Sequence, residues 1–284
     1  QVVSAETSYL SAQGGGQAWL FSAVSEENPG TVGGSGMIVG GSTEICLKGG
    51  KAILQEISYT EDEYTKLAEF ELTDDGLVPL GALSLRGIVQ EPGWIDEQDG
   101  YLRVLSEVWN NETGQMEGNL YVLDSGLYPV GTLEGLNLEQ GAGAVCFDGS
   151  RAYISAAGEN GDLLLSLDLW EPSSPSLSGE LAVDFVSDSL RIWGDGRLLC
   201  VGREADGAGA SGLQLTMYDC SEPEQGLVEL HTWSSAEFSE DTAGNAVKVI
   251  GNQEKRILVP DGETGEYAAI SYSEKGGFQT EEAP

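Results

Sequence analysis

The chain has little basic charge and a single histidine. Of its 284 residues, 13 are Lys or Arg and 47 are Asp or Glu, which gives a formal net charge of −34 at pH 7. We expect no nucleic-acid partner, because nucleic-acid affinity comes largely from Lys and Arg that neutralise phosphates. The same charge disfavours anionic membrane surfaces. The lone His231 argues against His-based catalytic triads, His-ligated metals and haem.

Long apolar runs and sustained helical periodicity are also absent. No run approaches the ~20 residues of a transmembrane helix, so we expect no membrane-spanning segment in this chain. The first residues lack the basic-then-apolar layout of a signal peptide, and we expect any such segment to have been removed. Apolar residues still make up 40% of the chain, enough for a sizeable core.

Glycine is abundant, with 40 residues spread along the chain. Between the glycine-containing turns lie short runs rich in Val, Ile, Leu, Tyr and Trp, as is typical of strands. These runs are SYLSA (8–12), KAILQ (51–55), YLRVL (101–105), RAYIS (151–155), RLLCV (197–201) and RILVP (256–260). Aligning Thr7, Lys51, Tyr101, Arg151, Arg197 and Arg256 gives spacings of 44, 50, 50, 46 and 59 residues. Periods of about 40–50 residues are typical of four-stranded propeller blades.

Each unit repeats the same order of turns and strands. Asp-Gly or Gly-Gly turns such as Gly49-Gly50 and Asp99-Gly100 precede the aligned positions and suit tight hairpins between a strand A and a strand B. Third strands (C) follow at 18–24, 66–72, 119–124, 163–169, 213–219 and 267–273, and fourth strands (D) at 77–83, 127–133, 175–181 and 227–233.

These patterns predict an all-β fold, a β-propeller of four-stranded antiparallel blades. Sheets stacked around an axis bury one another's faces and leave only short edges. Six blades fit the spacing best, with seven blades or an incomplete ring as alternatives. We expect one propeller domain over 1–284, with approximate blades 1–40, 41–90, 91–138, 139–185, 186–236 and 237–284.

Several stretches resemble a known family. They are DGYLRVLSE (99–107), NLYVLDSGLYPVGTLEGL (119–136), LDLWEPSSPSLSGEL (167–181), GDGRLLCVGRE (194–204) and YTKLAEFELTDDG (64–76). They resemble the secreted bacterial β-propeller domain proteins that are distantly related to WD40 repeats. The resemblance implies an exported bacterial propeller, often anchored at the cell envelope, with no established activity. It supplies no catalytic motif.

The four cysteines are predicted to be buried thiols. Cys46 and Cys146 fall at the same point of strand A two blades apart, too far for the ~5.5–6 Å Cα separation of a disulfide. Cys200 in strand B and Cys220 at the end of strand C are offset within one blade. An even count still permits two bridges, whereas the lack of a CxxC motif argues against zinc and redox sites.

The carboxylates raise the question of an enzyme. A glycosidase needs two of them at a defined separation, but the acidic residues here lie mostly in turns and loops, and no S-x-D-x-G-x-T-W box of the sialidase type is present. No catalytic residue is therefore assigned. We expect no cofactor, apart from a structural calcium ion that the oxygen-rich loops 60–64, 96–100 or 261–266 would hold, although none matches an EF-hand.

The B–C loops are the candidate interaction surface. In an A–B–C–D meander they leave the sheets at one side, and their negative charge favours cations or basic partners. The alternative is that this charge only maintains solubility. Trp109, before a polar loop, is either a contact residue or strand-end packing. The candidate residues are Glu61, Asp62, Glu63, Trp109, Glu112, Glu159, Asp162, Glu204, Asp206, Asp261, Glu263 and Glu266.

The patterns favour a non-catalytic binding scaffold, secreted or on the extracellular face of the bacterial cell envelope. Its partner is expected to be a protein, peptide or cell-wall component, with basic groups favoured by the charge. Two alternatives stay open. One is a carbohydrate-active propeller, a glycosidase or lyase that uses paired carboxylates. The other is a structural repeat module of a larger envelope protein.

Two smaller predictions concern single side chains. His231 stands where three other units have Gly81, Gly131 and Gly179, so we expect an outer-strand position with room for a side chain. Most tryptophans are expected to pack in the core. These are Trp19, Trp94, Trp170, Trp193 and Trp233.

Overall fold

A computed structural model of the protein describes most of the chain. The described residues are 2–5, 8–14, 18–25, 32–39, 43–48, 50–58, 63–73, 76–205, 210–222, 225–236, 247–251, 255–260 and 267–281. They contain twenty-four strands and a 3-10 turn at Pro92–Trp94. No helix in this part is long and apolar enough to cross a membrane.

The strands are short and follow one another through the whole described chain. They are β1 (Val2–Ala5), β2 (Ser8–Gly14), β3 (Ala18–Ser25), β4 (Val32–Val39), β5 (Thr43–Lys48), β6 (Lys51–Ser58), β7 (Tyr64–Thr73), β8 (Gly76–Arg86), β9 (Ile95–Gln98), β10 (Tyr101–Asn110), β11 (Gln115–Leu123), β12 (Pro129–Asn137), β13 (Ala142–Asp148), β14 (Arg151–Ala156), β15 (Leu163–Asp168), β16 (Ser176–Ala182), β17 (Phe185–Gly194), β18 (Arg197–Ala205), β19 (Ala210–Asp219), β20 (Val228–Ser235), β21 (Lys248–Ile250), β22 (Arg256–Pro260), β23 (Tyr267–Ser273) and β24 (Gly277–Glu281).

Within the described residues these strands form six four-stranded sheets. The sheets are β1–β4, β5–β8, β9–β12, β13–β16, β17–β20 and β21–β24, each a meander in sequence order. The all-β prediction with A–B–C–D units is therefore confirmed. The sheets span residues 2–39, 43–86, 95–137, 142–182, 185–235 and 248–281, and the number and boundaries of the blades stay a prediction.

The residues of the A–B turns favour tight hairpins, which pair each first strand with the strand that follows it. Asp99 and Gly100 have φ angles of 54° and 84°, and Asp195 and Gly196 have 54° and 70°. Two successive residues with positive φ make the tight turn whose twist matches that of the flanking strands. Asp and Gly tolerate this conformation better than other residues do, so these dipeptides identify the hairpins from sequence.

The chain divides into two compact units. The first comprises Gln1–Leu136 with Glu171–Pro175, and the second comprises Asn137–Trp170 with Ser176–Pro284. In the first unit the core comes mainly from strands B and C. Seven consecutive residues of β10, from Leu102 to Val108, are buried. Such runs are typical of strands covered on both faces, as stacked sheets require.

Among its described residues the second unit has two apolar clusters. One contains Tyr153, Tyr218, Cys200 and Cys220, with Cys146 packed against it. The other gathers residues of β18, β19, β22 and β23, including Met217. The fourth strands are much less buried, and β20 has no fully buried residue. This is the expected pattern for edge strands.

The fourth strands approach the C–D turn of the next sheet very closely. In the first unit, a Cβ atom built on Gly81 would lie 2.5 Å from the carbonyl oxygen of Gly126. A Cβ atom on Gly131 would lie 2.1 Å from the carbonyl oxygen of Pro172. Neither position has room for a side chain, so glycine there is a packing requirement.

The second unit contains the same contact with a different solution. A Cβ atom on Gly179 would lie 3.3 Å from Gly226 Cα. In the next sheet His231 takes the equivalent place, and the residue that it faces is Gly277, whose added Cβ would lie 3.1 Å from the imidazole ring. His231 Nδ1 lies 3.2 Å from the Tyr272 hydroxyl. At this contact the turn at Gly277 leaves room for a side chain, and the imidazole of His231 occupies it.

The cysteines form no disulfide, and Cys46, Cys200 and Cys220 are buried. Cys200 pairs with Thr216 across the strands. Cys220 is four residues further along, which places the two sulfur-bearing residues about 13 Å apart at ~3.3 Å per residue. Burial raises the pKa of the Cys200 thiol to about 12. These thiols act as small apolar side chains, as the sequence predicts.

Candidate functional site

Half of the candidate interaction residues belong to the described part of the chain. Glu61, Asp62, Asp206, Asp261, Glu263 and Glu266 lie outside the described residues. Glu63, Trp109, Glu112, Glu159, Asp162 and Glu204 are described. Each of these six lies in or next to the B–C connection of its own sheet. In the first unit, Glu63, Trp109 and Glu112 belong to two successive sheets.

A long hairpin positions Trp109. Strands β10 and β11 pair up to Asn110 and Gln115, and Trp109 stands directly opposite Met116. On the other side β10 pairs with β9 only through residues 101–104. The end of the hairpin therefore reaches well past β9. Trp109 is 47% exposed there, although the residues before it in β10 are buried.

The tip of this hairpin is fixed by the side chain of Asn110. Its Oδ1 accepts hydrogen bonds from the backbone N–H of Glu112 at 2.8 Å and of Thr113 at 3.3 Å. Its Nδ2 donates to Glu117 Oε1 at 2.5 Å. The backbone N–H of Gly114 donates to the Asn110 carbonyl at 2.8 Å. These bonds hold a short turn in one conformation, with the Glu112 side chain exposed.

Beneath Trp109 the hairpin is anchored to the connection between β8 and β9. Glu107 and Ile88 exchange backbone hydrogen bonds of 2.7 and 2.9 Å. The Glu107 side chain is buried, and its Oε1 accepts a hydrogen bond of 3.0 Å from Gln90 Nε2. Because side chains alternate along a strand, Glu107 and Trp109 lie on the same face. Their Cα atoms are about 7 Å apart at ~3.4 Å per residue, so a buried carboxylate lies on the same face of the strand as the exposed ring.

Hydroxyl and amide side chains of β6 and β7 also bind the connection between β8 and β9. Thr65 Oγ1 donates to the carbonyl of Gly87 at 2.9 Å and accepts the N–H of Val89 at 3.0 Å. Gln55 Nε2 also donates to the carbonyl of Val89. Both Gln55 and Thr65 are buried. The buried side chains of Gln55 and Thr65 therefore have hydrogen-bond partners, as buried polar groups require.

Asp162, in the second unit, has a structural position. Only 4% of the residue is exposed, and its Oδ2 accepts the backbone N–H of Ser187 at 2.8 Å. Its own backbone N–H donates to the carbonyl of Phe185 at 3.0 Å. Burial raises the pKa of this carboxyl. The expectation that Asp162 belongs to an exposed contact surface is therefore corrected, whereas Glu159 and Glu204 are exposed.

One of the three oxygen-rich loops is fully described, and two of its three carboxylates, Asp96 and Glu97, are engaged within the loop and its sheet. Asp96 Oδ2 accepts a hydrogen bond of 3.0 Å from Arg103 Nε. Glu97 Oε1 accepts the N–H of Gly100 at 2.9 Å. In the part of the chain that the structure describes, no group of three His, Cys, Asp or Glu residues is placed to hold a metal ion.

The first unit also contains a cavity of about 250 Å³ on one face of β6, β7 and β8. Leu54, Ala68 and Ala82 contribute apolar lining. The cavity has one carboxylate among its described lining residues, Glu56, whose Oε1 lies 3.5 Å from Lys66 Nζ. It therefore lacks, among those residues, the carboxylate pair of a glycosidase.

The tryptophans divide into core and surface residues. Trp94 is buried, and Trp193 and Trp233 pack against a core cluster of the second unit. Trp170 is 79% exposed, so its predicted core position is wrong. The preceding Leu169 takes the inward position of that turn. The Trp19 side chain lies outside the described residues.

Met116 is a cross-strand neighbour of Trp109 that the sequence reasoning missed. The sequence spacing was enough to predict this pair, because a four-residue turn at 111–114 places Trp109 opposite Met116. An aromatic ring and a thioether then share one face of a rigid acidic hairpin. This arrangement suits contact with a partner.

The repeated four-stranded meanders define a β-propeller protein. The family model described as a beta propeller domain matches residues 3–249. The chain belongs to this family.

Curated relatives come from archaea. An uncharacterized protein of Methanocaldococcus jannaschii is 33% identical over 189 residues, which cover 64% of this chain and 29% of that protein. An uncharacterized protein of Archaeoglobus fulgidus is 30% identical over 206 residues, 72% of this chain and 31% of the relative. The chain thus spans less than a third of these relatives. They do not support the bacterial source that the resemblance implied.

A solved structure has the same fold. A Bacteroides fragilis protein, provisionally assigned as a 6-phosphogluconolactonase, matches with a TM-score of 0.54 at 10% identity. The match covers 98% of this chain and 82% of that one. At this identity the similarity shows the fold alone, because one fold carries many unrelated functions.

Proposed function

We propose that the protein is a non-catalytic binding scaffold whose B–C loops contact a basic protein or peptide. The observation that carries the proposal is the exposure of Glu112, Glu159 and Glu204 at B–C connections. Among the described residues no ion pair neutralises these three carboxylates. Each unit therefore presents uncompensated negative charge at B–C connections.

The basic side chains support the same proposal. Arg103 pairs with Asp96, and Arg197 lies 3.0 Å from Glu274. Arg203 makes a two-pronged contact with Asp188, with closest atoms 2.8 Å apart. Lys51, Lys66 and Arg256 also pair with carboxylates of their own sheets. Among the described residues, at least six of the 13 basic residues thus pair with carboxylates outside the B–C loops. These six do not neutralise the acidic loops, which can attract a cationic partner.

The test is a binding titration with fluorescein-labelled octalysine. We expect binding that weakens from about 50 mM to about 300 mM salt, because the Debye length shortens. Replacing Glu112, Glu159 and Glu204 together by Gln should weaken binding about 1.4-fold to fivefold for each exposed ion pair that a bound peptide loses, at ~0.2–1 kcal/mol per pair.

A matched control removes the same charge elsewhere. Glu171, Glu180 and Glu222 are exposed and lie outside the B–C connections. Replacing these three by Gln keeps the net charge equal to that of the loop variant and should change affinity much less. Equal weakening by the two triple variants would mean that overall charge alone attracts the peptide, and the proposal would fail.

The location outside the cytoplasm, at the cell envelope, belongs to the same proposal. Its support is the resemblance to exported propellers described above. Detection of the native protein by fractionation in the cytoplasm alone would overturn this part, and the binding proposal would be unaffected.

A further inference from the structure

We propose that Trp109 and Met116 form a contact site for a Lys or Arg side chain of a protein partner, with the buried carboxylate of Glu107 adding negative charge beneath it. This inference rests on the proposed function and names the chemistry that one B–C hairpin recognises. Net charge by itself would attract any polycation without a defined site. The hairpin adds a feature independent of charge, the aromatic ring of Trp109 beside the apolar side chain of Met116.

The hairpin register places the ring and the thioether side by side. Trp109 and Met116 are directly opposite, and cross-strand partners have Cβ atoms about 4.5–5.5 Å apart. Trp109 is 47% exposed, and Met116 is half-buried. The bonds made by Asn110 fix the turn next to them. A partner side chain therefore meets a surface that is already ordered, which lowers the entropic cost of binding.

The charge on the same face selects a cation. Glu107 lies two residues before Trp109 and is buried, with Gln90 Nε2 3.0 Å from its Oε1. Glu112 is exposed at the tip. The face of an indole ring attracts Lys and Arg through its quadrupole. The aliphatic stem of either residue packs on apolar surface while its charged end stays in water.

Other ligand classes fit this face less well. An anionic ligand would be repelled by the negative charge of Glu107 and Glu112. A neutral sugar would stack on Trp109 without using their charge. A basic peptide uses both features, so the observations favour it over a glycan.

The experiment measures binding of labelled octalysine to the full chain by anisotropy. Trp109→Ala leaves the net charge unchanged, so the general attraction persists and only the proposed contact is lost. We expect binding about twofold to thirtyfold weaker, the range of a cation–π contact. Trp170→Ala is the matched control, because Trp170 is also exposed but lies in a C–D turn. The affinity of Trp170→Ala for octalysine should stay within about twofold of that of the wild type.

A second variant separates the effect of the aromatic ring on binding from the effect of its apolar surface area. Trp109→Leu keeps an apolar side chain without an aromatic face, and we expect it to bind octalysine as weakly as Trp109→Ala. Trp109→Phe keeps a weaker aromatic face and should bind with intermediate affinity. Equal thermal melting of the variants verifies that each is folded. If Trp109→Leu bound octalysine as tightly as the wild type does, the proposed cation–π contact would be wrong.

The outcomes distinguish this site from the proposed function. If Trp109→Ala binds as wild type while the Glu112, Glu159 and Glu204 triple variant is weakened, the site is wrong and the scaffold proposal stands. If wild-type protein does not bind octalysine, both fail. Binding of chitohexaose that requires Trp109 would overturn the basic-ligand assignment in favour of a glycan.

Discussion

The contact between a fourth strand and the next C–D turn offers a stability test at Gly131. A Cβ atom there would lie 2.1 Å from the carbonyl oxygen of Pro172 and 2.8 Å from Pro175 Cδ. An ordinary contact begins at 3.4 Å, so Gly131→Ala requires the turn to move by about 1.3 Å. The turn resists this movement, because the N–H of Ser174 donates to the carbonyl of Glu171 at 2.9 Å.

The expected cost follows from overpacking. Such substitutions cost about 1–3 kcal/mol, and a clash with backbone belongs near the upper end. Replacing glycine within a strand recovers about 0.5–1 kcal/mol of unfolded-chain entropy. The net loss is about 2 kcal/mol, which lowers the midpoint of thermal unfolding by about 4–8 °C for a unit of this size.

Gly93→Ala is the matched control for this substitution. Nothing lies within 4 Å of a Cβ atom built on Gly93, and its φ is not in the left-handed region. Alanine there should raise stability by about 0.4–1 kcal/mol. Both variants are measured by thermal and urea unfolding. A Gly131→Ala variant at least as stable as wild type would refute the close approach of strand and turn.

Three further predictions concern His231, Asp162 and the cysteines. His231→Gly should lower the free energy of unfolding by about 1–3 kcal/mol, because the variant loses an aromatic contact and a hydrogen bond with Tyr272; unchanged urea unfolding would contradict this. The pKa of Asp162 is raised above its ordinary 3.8, so folding favours its protonated form. The unfolding free energy of wild type relative to Asp162→Asn should therefore fall as the pH rises above about 4, and a rise would be inconsistent. In native protein, iodoacetamide should modify Cys146 well before Cys200, whose thiol is fully buried; equal rates by peptide mass spectrometry would argue otherwise.

The strand order was predictable because local chemistry determines it. Asp99-Gly100 and Asp195-Gly196 need positive φ, and few other dipeptides accept it so readily. The apolar runs that follow are buried on both faces, so their composition alone marks them as strands. The repeat then gave the third and fourth strands by analogy. Spacing was also enough to place His231 at the glycine position of the other units.

The positions of loop side chains depended on contacts that spacing does not encode. Asp162 lies in a B–C connection like Glu159, yet it is buried because it accepts the N–H of Ser187 from the following sheet. Trp170 looked like a core residue, but Leu169 occupies the buried place beside it. Both outcomes depend on tertiary packing around a turn.

The most direct test of the binding account is hydrogen–deuterium exchange of the full chain with and without octalysine. The account predicts slower exchange on binding at the B–C connections, above all in residues 108–117. The C–D turns at 124–128 and 169–175 should exchange at unchanged rates. Protection confined to those turns, with 108–117 unaffected, would contradict the claim that the B–C connections bind the basic partner.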